Sequence, residues 1–240
     1  MPTNVSRYGS FPLDDSFVCE NFKFSLINKA NSYLYRRETI DNNIKSSTLS
    51  YVECDEIIIQ PSEPLVEDLP KTLIMLEFEE PLVLLPESKL NGFTTFPISI
   101  AIFLKDKRKH YLIDLFNISR LKFALYGNPH NGSVCRYWKT NFLLEPFETT
   151  IFETALLELE LENTSSSTIK LTKLILDFAY IRLYYKERQA KTKARAKIQS
   201  ELYCETEFLD TNEKEGFIQT IDLIPTKLLS SSKFIMTNGL

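Results

Sequence analysis

Glycine is scarce in this chain, with six residues in 240, and histidine and tryptophan occur only twice and once. Phosphate-binding loops and dinucleotide fingerprints need several glycines at fixed short spacings. The six glycines are dispersed and form no such spacing. The sequence therefore shows neither nucleotide-binding motif, and we predict no cofactor.

The cysteines are also few, and they lie far apart, at Cys19, Cys54, Cys135 and Cys204. No C-x-x-C pair occurs, so neither a zinc ribbon nor a disulfide framework is indicated, and reduced thiols are expected. The only local pair of metal-binding types is His130 with Cys135, whereas a closed zinc site needs four ligands. His110 or one of the other three cysteines would have to complete the site in space. We predict no metal.

Long apolar runs are missing as well. The longest uncharged stretch, LNGFTTFPISIAIFL, has 15 residues and is broken by Gly92 and Pro97, which is shorter than the roughly 20 residues that cross a bilayer as a helix. The N-terminus does not resemble a secretory signal. A net charge of −4 gives no global attraction to phosphate. We expect a cytoplasmic protein without membrane insertion.

Strand signals dominate what is present. β-branched and aromatic residues come in short runs separated by Pro, Asn, Ser and Gly. In residues 157–162 leucine and glutamate alternate strictly, and the polar tract NTSSST then turns the chain. Six prolines punctuate the first half between residues 61 and 97, which disfavours long helices. The predicted fold is all-β, an antiparallel β-sandwich in two halves, residues 1–120 and 121–240.

The one basic patch is KERQAKTKARAK, residues 186–197, with six positive side chains and one negative. Residues 192–208 alternate with a period of two, which favours a strand, although Ala190, Ala194, Ile198 and Leu202 also fit a helical stripe. One function is contact with nucleic acid, with stacking on Tyr180, Tyr184 and Tyr185. The candidate contacts are Lys191, Lys193, Arg195 and Lys197.

A structural interpretation of the same patch is favoured. Alternating Glu158, Glu160 and Glu162 are expected to lie opposite Lys193, Arg195 and Lys197 as cross-strand ion pairs. The basic side chains would then be neutralised within the sheet and largely unavailable to RNA.

The stretch YGNPHNGSVCRYW, residues 126–138, concentrates the unusual residue types. GNPHNG is a turn by composition, and a strand follows. Alternation places Arg136 and Trp138 on one face, close enough for the guanidinium to lie over the indole. Arg and Trp are enriched at binding hot spots, so Arg136, Trp138 and His130 form a candidate binding surface. The alternative is that Trp138 belongs to the core and Arg136 caps it.

Cys135, a histidine and Asp114 have the residue types of a thiol triad. Neither a nucleophile elbow nor a helix N-terminus that would lower the thiol pKa is visible in the sequence. No catalytic residue is therefore predicted.

Several motifs resemble the archaeal family called domain of unknown function 432. They include YG at Tyr8, YRR at residues 35–37, PSEP at 61–64 and FP at Phe96, and the most specific are YGNPHNGSVCRYW and the ending KFIMTNGL. The family tends to carry an acidic residue where this chain has Ser99, which argues against a catalytic position there. The resemblance implies an archaeal protein without an agreed activity. Some relatives are encoded near mechanosensitive-channel genes, which suggests a partner role.

Together these observations predict a non-enzymatic interaction or scaffold protein that binds another protein. The alternative is an RNA- or ribosome-associated protein that uses residues 186–197. A homo-oligomer is compatible with either function.

Overall fold

A computed structural model describes residues 2–65, 72–107, 109–210, 216–223 and 233–240. In this part of the chain the structure is all-β, as predicted, and its one helical element is a 3₁₀ turn at Phe178–Tyr180. The strands are β1 (Thr3–Val5), β2 (Gly9–Pro12), β3 (Ser16–Cys19), β4 (Phe22–Lys29), β5 (Ser32–Thr39), β6 (Ile44–Ser50), β7 (Glu56–Ser62), β8 (Leu73–Leu84), β9 (Ser88–Pro97), β10 (Ser99–Lys105), β11 (His110–Phe116), β12 (Phe123–Tyr126), β13 (Ser133–Thr140), β14 (Thr154–Asn163), β15 (Ile169–Asp177), β16 (Tyr184–Lys186), β17 (Gln189–Ile198), β18 (Cys204–Leu209), β19 (Ile218–Gln219) and β20 (Phe234–Met236).

The strands form four sheets. The first has the order β1-β3-β4-β5-β6, the second β11-β10-β7-β2 and the third β12-β13-β8-β15. The fourth runs β9-β14-β17, after which β16 and β18 pair with successive parts of β17, and β19 and β20 extend these in turn. Most neighbours are antiparallel, but β1 with β3, β8 with β13 and β14 with β17 are parallel.

The parallel pair of β14 and β17 follows from the path of the chain. After β14 the chain turns at residues 164–168 and enters β15, which belongs to the third sheet. It returns to the fourth sheet only afterwards, so β17 runs in the same direction as β14. A parallel pair requires a crossover of this kind.

The sheets do not divide at residue 120. β8 pairs with β13 and β15, and β9 pairs with β14, so both strands join sheets that are otherwise built from residues beyond 120. The buried apolar side chains form one large cluster that takes members from all four sheets, among them Phe17, Ile57, Leu76 and Leu159. The predicted boundary therefore does not correspond to the pattern of strand pairing.

The N-terminal segment is tied to the later half of the chain at Tyr8. Its hydroxyl accepts a hydrogen bond from the Phe152 amide at 2.7 Å, and its own amide donates to the Glu187 carbonyl at 2.8 Å. Phe152 is fully buried with a φ of +65°, a conformation that is strained for a residue with a side chain. The Tyr8 hydroxyl therefore satisfies a buried amide at a turn that needs outside support.

Candidate functional site

The basic strand lies where the alternation predicted. β17 covers Gln189–Ile198 as a strand, which excludes the helical alternative, and a turn at residues 199–203 then separates it from β18. The period-two pattern through residue 208 thus spans two antiparallel strands. Its continuity reflects the fact that both strands bury the same face of the fourth sheet.

Two of the three predicted ion pairs between β14 and β17 are confirmed, whereas Glu162 pairs with Lys89 of β9 at 3.2 Å. The register places Glu158 beside Lys193 and Glu160 beside Arg195. Lys193 Nζ lies 2.7 Å from Glu158 and 2.9 Å from Glu160, and Arg195 Nη2 lies 2.9 Å from Glu160. The hydrogen bond to Glu158 raises the pKa of Lys193, and the bond from Lys193 lowers the pKa of Glu160.

The two other basic candidates differ from these. Lys191 Nζ lies 3.8 Å from the centre of the Phe217 ring, a cation–π contact. Lys197 is exposed and lies beside Glu162 in register, with Glu205 on its other side. The outer face of this sheet is therefore a grid of alternating charges rather than a positive stripe.

A groove of about 320 Å³ lies at the end of the grid and is lined in part by Phe93, Leu156 and Phe217. Lys191 and Lys193 also line it, but so does Glu158. The expected stacking residues Tyr184 and Tyr185 are buried and do not present their rings to solvent. Stacking on these two residues is therefore wrong, because β16 packs their side chains into the fold, whereas the third expected residue, Tyr180, is half-buried.

The turn before β13 has the predicted form. Residues 127–132 connect β12 to β13 as a hairpin, and Gly127 has a φ of +97°, which favours glycine. The Asn128 side chain accepts hydrogen bonds from the His130 and Asn131 amides at 3.0 and 3.2 Å. His130 is exposed at the tip of this ordered turn.

Arg136 lies inside the protein. The residue is 4% exposed, and its guanidinium donates to Asn117 Oδ1 at 2.8 Å and to Ser119 Oγ at 3.2 Å. Burial lowers the pKa of Arg136 to about 10. The expected stacking over Trp138 is therefore replaced by hydrogen bonds to the segment that follows β11, and Arg136 is not an exposed anchor.

Trp138 is half-buried and packs against the core. Its indole Nε1 donates to Thr95 Oγ1 on β9 at 3.2 Å. The same face of β13 continues to Thr140, whose hydroxyl lies 2.8 Å from that of Thr94. Trp138 thus joins β13 to β9, as the core alternative describes.

Three exposed apolar residues on the same hairpin were missed by the sequence reasoning. Phe123, Leu125 and Val134 are 46%, 44% and 43% exposed. Leu125 lies directly opposite Val134 across the strand pair, and Phe123 is two residues away on the same face. We call these three residues the hairpin surface. FALY has apolar or aromatic residues at all four positions, so nothing in the sequence showed which of its faces stays uncovered.

The backbone of the hairpin surface is also open. β12 is an edge strand of the third sheet within the described ranges. The Tyr137 amide donates to the Lys122 carbonyl at 2.8 Å, so position 122 bonds towards β13. Because bonding alternates along an antiparallel pair, the amides and carbonyls of Phe123 and Leu125 point away from β13. The exposed side chains and the outward backbone groups thus occur at the same positions.

The thiol-triad hypothesis requires a carboxylate that orients a histidine, but Asp114 has other partners. It accepts hydrogen bonds from Tyr35 Oη and Arg37 Nε at 2.7 Å and from Lys45 Nζ at 2.8 Å. Burial raises the pKa of Asp114, but the bonds from Lys45, Tyr35 and Arg37 outweigh that effect and lower the pKa overall. Asp114 therefore joins β11 of the second sheet to β5 and β6 of the first.

All four cysteines are free thiols. Cys135 is buried, and its Sγ lies 3.5 Å from the Ser133 carbonyl, to which it donates. Burial raises the pKa of Cys204 to about 12 and raises that of Cys19 further. Within the described residues, no group of three or more His, Cys, Asp or Glu side chains is arranged to hold a metal ion.

The family model described as a protein of unknown function (DUF432) matches residues 7–237. The chain belongs to this family. No curated protein and no solved structure matches it. The motifs that carried the resemblance include the hairpin, the Tyr8 contact and the C-terminal segment, while the archaeal origin stays a prediction. No helix in the described part of the chain is long and apolar enough to cross a membrane.

Proposed function

We propose that this DUF432 protein is a non-enzymatic interaction module that binds a protein partner at the hairpin surface. The observation that supports it is the position of Phe123, Leu125 and Val134, which are exposed together on the hairpin formed by the edge strand β12 and its neighbour β13. Aromatic and aliphatic side chains on an open strand offer both apolar contact area and backbone hydrogen bonds. We further propose that the protein acts in the cytoplasm, where free thiols are the favoured state.

The partner that fits this surface is an extended acidic and apolar segment. Such a segment adds beside β12 by hydrogen bonds to the outward backbone groups of Phe123 and Leu125, and its alternate apolar side chains pack on the hairpin surface. Arg120 and Lys122 are exposed immediately before β12, and within the described residues neither forms an ion pair. Their charges favour acidic residues in the partner and disfavour a second copy of the same basic edge.

The nucleic-acid alternative has less support. Lys193 and Arg195 are engaged by Glu158 and Glu160, so phosphate contact would require that these pairs be broken. Lys191 beside the groove is the remaining feature in its favour.

Site-specific crosslinking tests the proposal. A photo-reactive residue is placed at Leu125 and, as a control, at Ile40, which is 69% exposed in the turn between β5 and β6. A protein from native extract that crosslinks at Leu125 but not at Ile40 is identified as the partner. A peptide that contains its crosslinked segment is then titrated against the purified protein. We expect Leu125→Lys to weaken binding at least about 30-fold, the equivalent of a hot-spot loss of about 2 kcal/mol.

Ile40→Lys should bind the peptide like the wild type, and both variants should melt at the wild-type temperature because the side chains are exposed. Identical crosslinking patterns from the two positions would contradict the proposal. So would full peptide affinity in Leu125→Lys.

A further inference from the structure

The Arg136 side chain lies in a cluster of hydrogen-bond donors. Arg136 Nη1 donates to Asn117 Oδ1 at 2.8 Å, and Nη2 donates to Ser119 Oγ at 3.2 Å. Ser99 Oγ donates to the same Asn117 oxygen at 2.9 Å, and Asn117 Nδ2 donates to the Leu65 carbonyl at 3.2 Å. The cluster therefore gathers side chains from β10, from the segment after β11 and from β13.

Donors exceed acceptors in this cluster. A guanidinium has five N–H groups, of which two donate here, so three have no acceptor in the part of the chain that the structure describes. The second N–H of the Asn117 amide and the Ser119 hydroxyl hydrogen also have no acceptor within the described residues. Each of the acceptors that Arg136 does contact is neutral.

A second buried arginine in the same protein shows the contrast. Arg37 is 5% exposed, almost the same as Arg136, but its Nε lies 2.7 Å from the Asp114 carboxylate. A buried charge is strongly unfavourable unless an opposite charge neutralises it. Arg136 has no carboxylate partner among the residues that the structure describes. The hydrogen bonds to Asn117 and Ser119 use two of its donors, and no carboxylate in the described ranges compensates its charge.

We propose that Arg136, Asn117 and Ser119 form a binding site for a small oxyanion of the phosphate or sulfate class. Guanidinium, amide and hydroxyl donors together match the oxygens of such an anion, and charge-assisted hydrogen bonds are the strong ones. Because Arg136 is only 4% exposed, the site takes a small anion or the terminal phosphoryl group of a larger molecule. Arg136 lies opposite Phe123 of the hairpin surface across the β12–β13 pair, but the site does not depend on the proposed partner.

Thermal melting in phosphate tests the site at pH 7. Sodium phosphate is compared with sodium chloride at matched ionic strength, and phenyl phosphate is titrated in parallel to distinguish a free anion from a carried phosphoryl group. At a tenfold excess over the dissociation constant, phosphate should raise the Tm of the wild type by about 3 to 6 °C. No rise beyond the chloride control in either titration would overturn the proposal.

Two variants of the site and one control variant make the test specific. Asn117→Asp places a carboxylate at the atom that lies 2.8 Å from Arg136 Nη1, so it should supply an internal anion and abolish the phosphate response. Ser119→Ala should fold and weaken phosphate binding about tenfold, since it removes one donor to a charged group. Arg188→Gln, at a mostly exposed arginine, should keep the full response. An unchanged phosphate affinity in Ser119→Ala would refute the site even if Asn117→Asp did not fold.

Discussion

At the scale of single residues, exposure separates the hairpin side chains that hold the fold from those that meet solvent. Trp138 and Arg136 are covered by other segments and have hydrogen-bond partners. Leu125 and Val134 lie on the same face of the sheet but are uncovered, with more than two-fifths of their surface exposed. Trp138 is the single tryptophan of the chain, and Arg and Trp are enriched at binding hot spots, so the sequence alone suggested that Arg136 and Trp138 form a binding surface. The rare Trp138 is a structural residue that packs against the core, and its rarity did not indicate a partner-binding surface.

Trp138→Ala is expected to lower the free energy of unfolding by about 3 kcal/mol, because it leaves a cavity between β13 and β9. Trp138→Phe keeps most of the apolar contact and loses the bond to Thr95, so it should lower the free energy by about 1 kcal/mol. Urea denaturation of the three proteins measures both values. A Trp138→Ala variant as stable as the wild type would show that the indole is not part of the core.

The burial of Arg136 could not be predicted from the sequence, for a physical reason. Its two acceptors lie 19 and 17 residues earlier in the chain, and neither Asn117 nor Ser119 is charged. A local alternation pattern tells which side chains share a face, but it does not tell which segment covers that face. Only the tertiary arrangement of β10, β11 and β13 determines this.

At the scale of elements, the glutamates of β14 and the basic residues of β17 specify which residues lie side by side. Charge alternation on both strands predicted the pairing of Glu158 with Lys193 and of Glu160 with Arg195, and the register confirms it. The parallel direction was not predictable, because glutamates lie opposite basic residues in either orientation of the two strands, although Glu158 would face Lys197 if the strands were antiparallel. It depends on the excursion of β15 into another sheet.

The basic residues of β17 allow a test of the nucleic-acid alternative. We expect weak RNA binding whose affinity changes little with salt, and we expect the triple change of Lys193, Arg195 and Lys197 to Gln to alter it little. The physical reason is that Glu158 and Glu160 already hold two of these cations. A filter-binding titration between 50 and 200 mM salt provides the measurement. A log-log slope of several units that disappears in the triple variant would contradict the expectation.

At the scale of the whole molecule, buried polar contacts join sheets whose strands come from different parts of the sequence. Asp114 connects the second sheet to Tyr35 and Arg37 of β5. Because its pKa is lower in the folded state than the unfolded value near 3.9, its contribution to stability is complete above that value. The contribution is lost as the pH falls through the folded-state pKa.

Asp114→Asn is therefore expected to destabilise the protein at pH 7 by about 3 to 5 kcal/mol, since it leaves Arg37 buried without its carboxylate. The difference in free energy of unfolding from the wild type should shrink as the pH is lowered from 5 to 2. Chemical denaturation across this range measures the difference. A difference that stays constant with pH would show that Asp114 does not titrate on unfolding.

A fragment of residues 1–120 is expected not to fold, although the sequence alone suggested a division there. β8 and β9 would lack β13, β14 and β15, their partners in the intact chain. Circular dichroism and hydrogen exchange of the fragment, beside the full chain, measure the result. A cooperative melt and slow exchange in β8 would demonstrate an independent N-terminal unit.

The long separation of β8 from its partners also determines the order of events during synthesis. β8 ends at Leu84, but β15, which pairs with it, begins at Ile169. At about 5 to 20 residues per second, the ribosome needs roughly 4 to 17 s to produce the intervening chain. During this interval Leu73, Ile74, Met75 and Leu76 have left or are leaving the exit tunnel without the β15 neighbour that later covers one edge of their strand. We therefore expect the nascent protein to bind chaperones that recognise extended apolar segments, and we expect the yield of folded chains to depend on the speed of translation between these two strands.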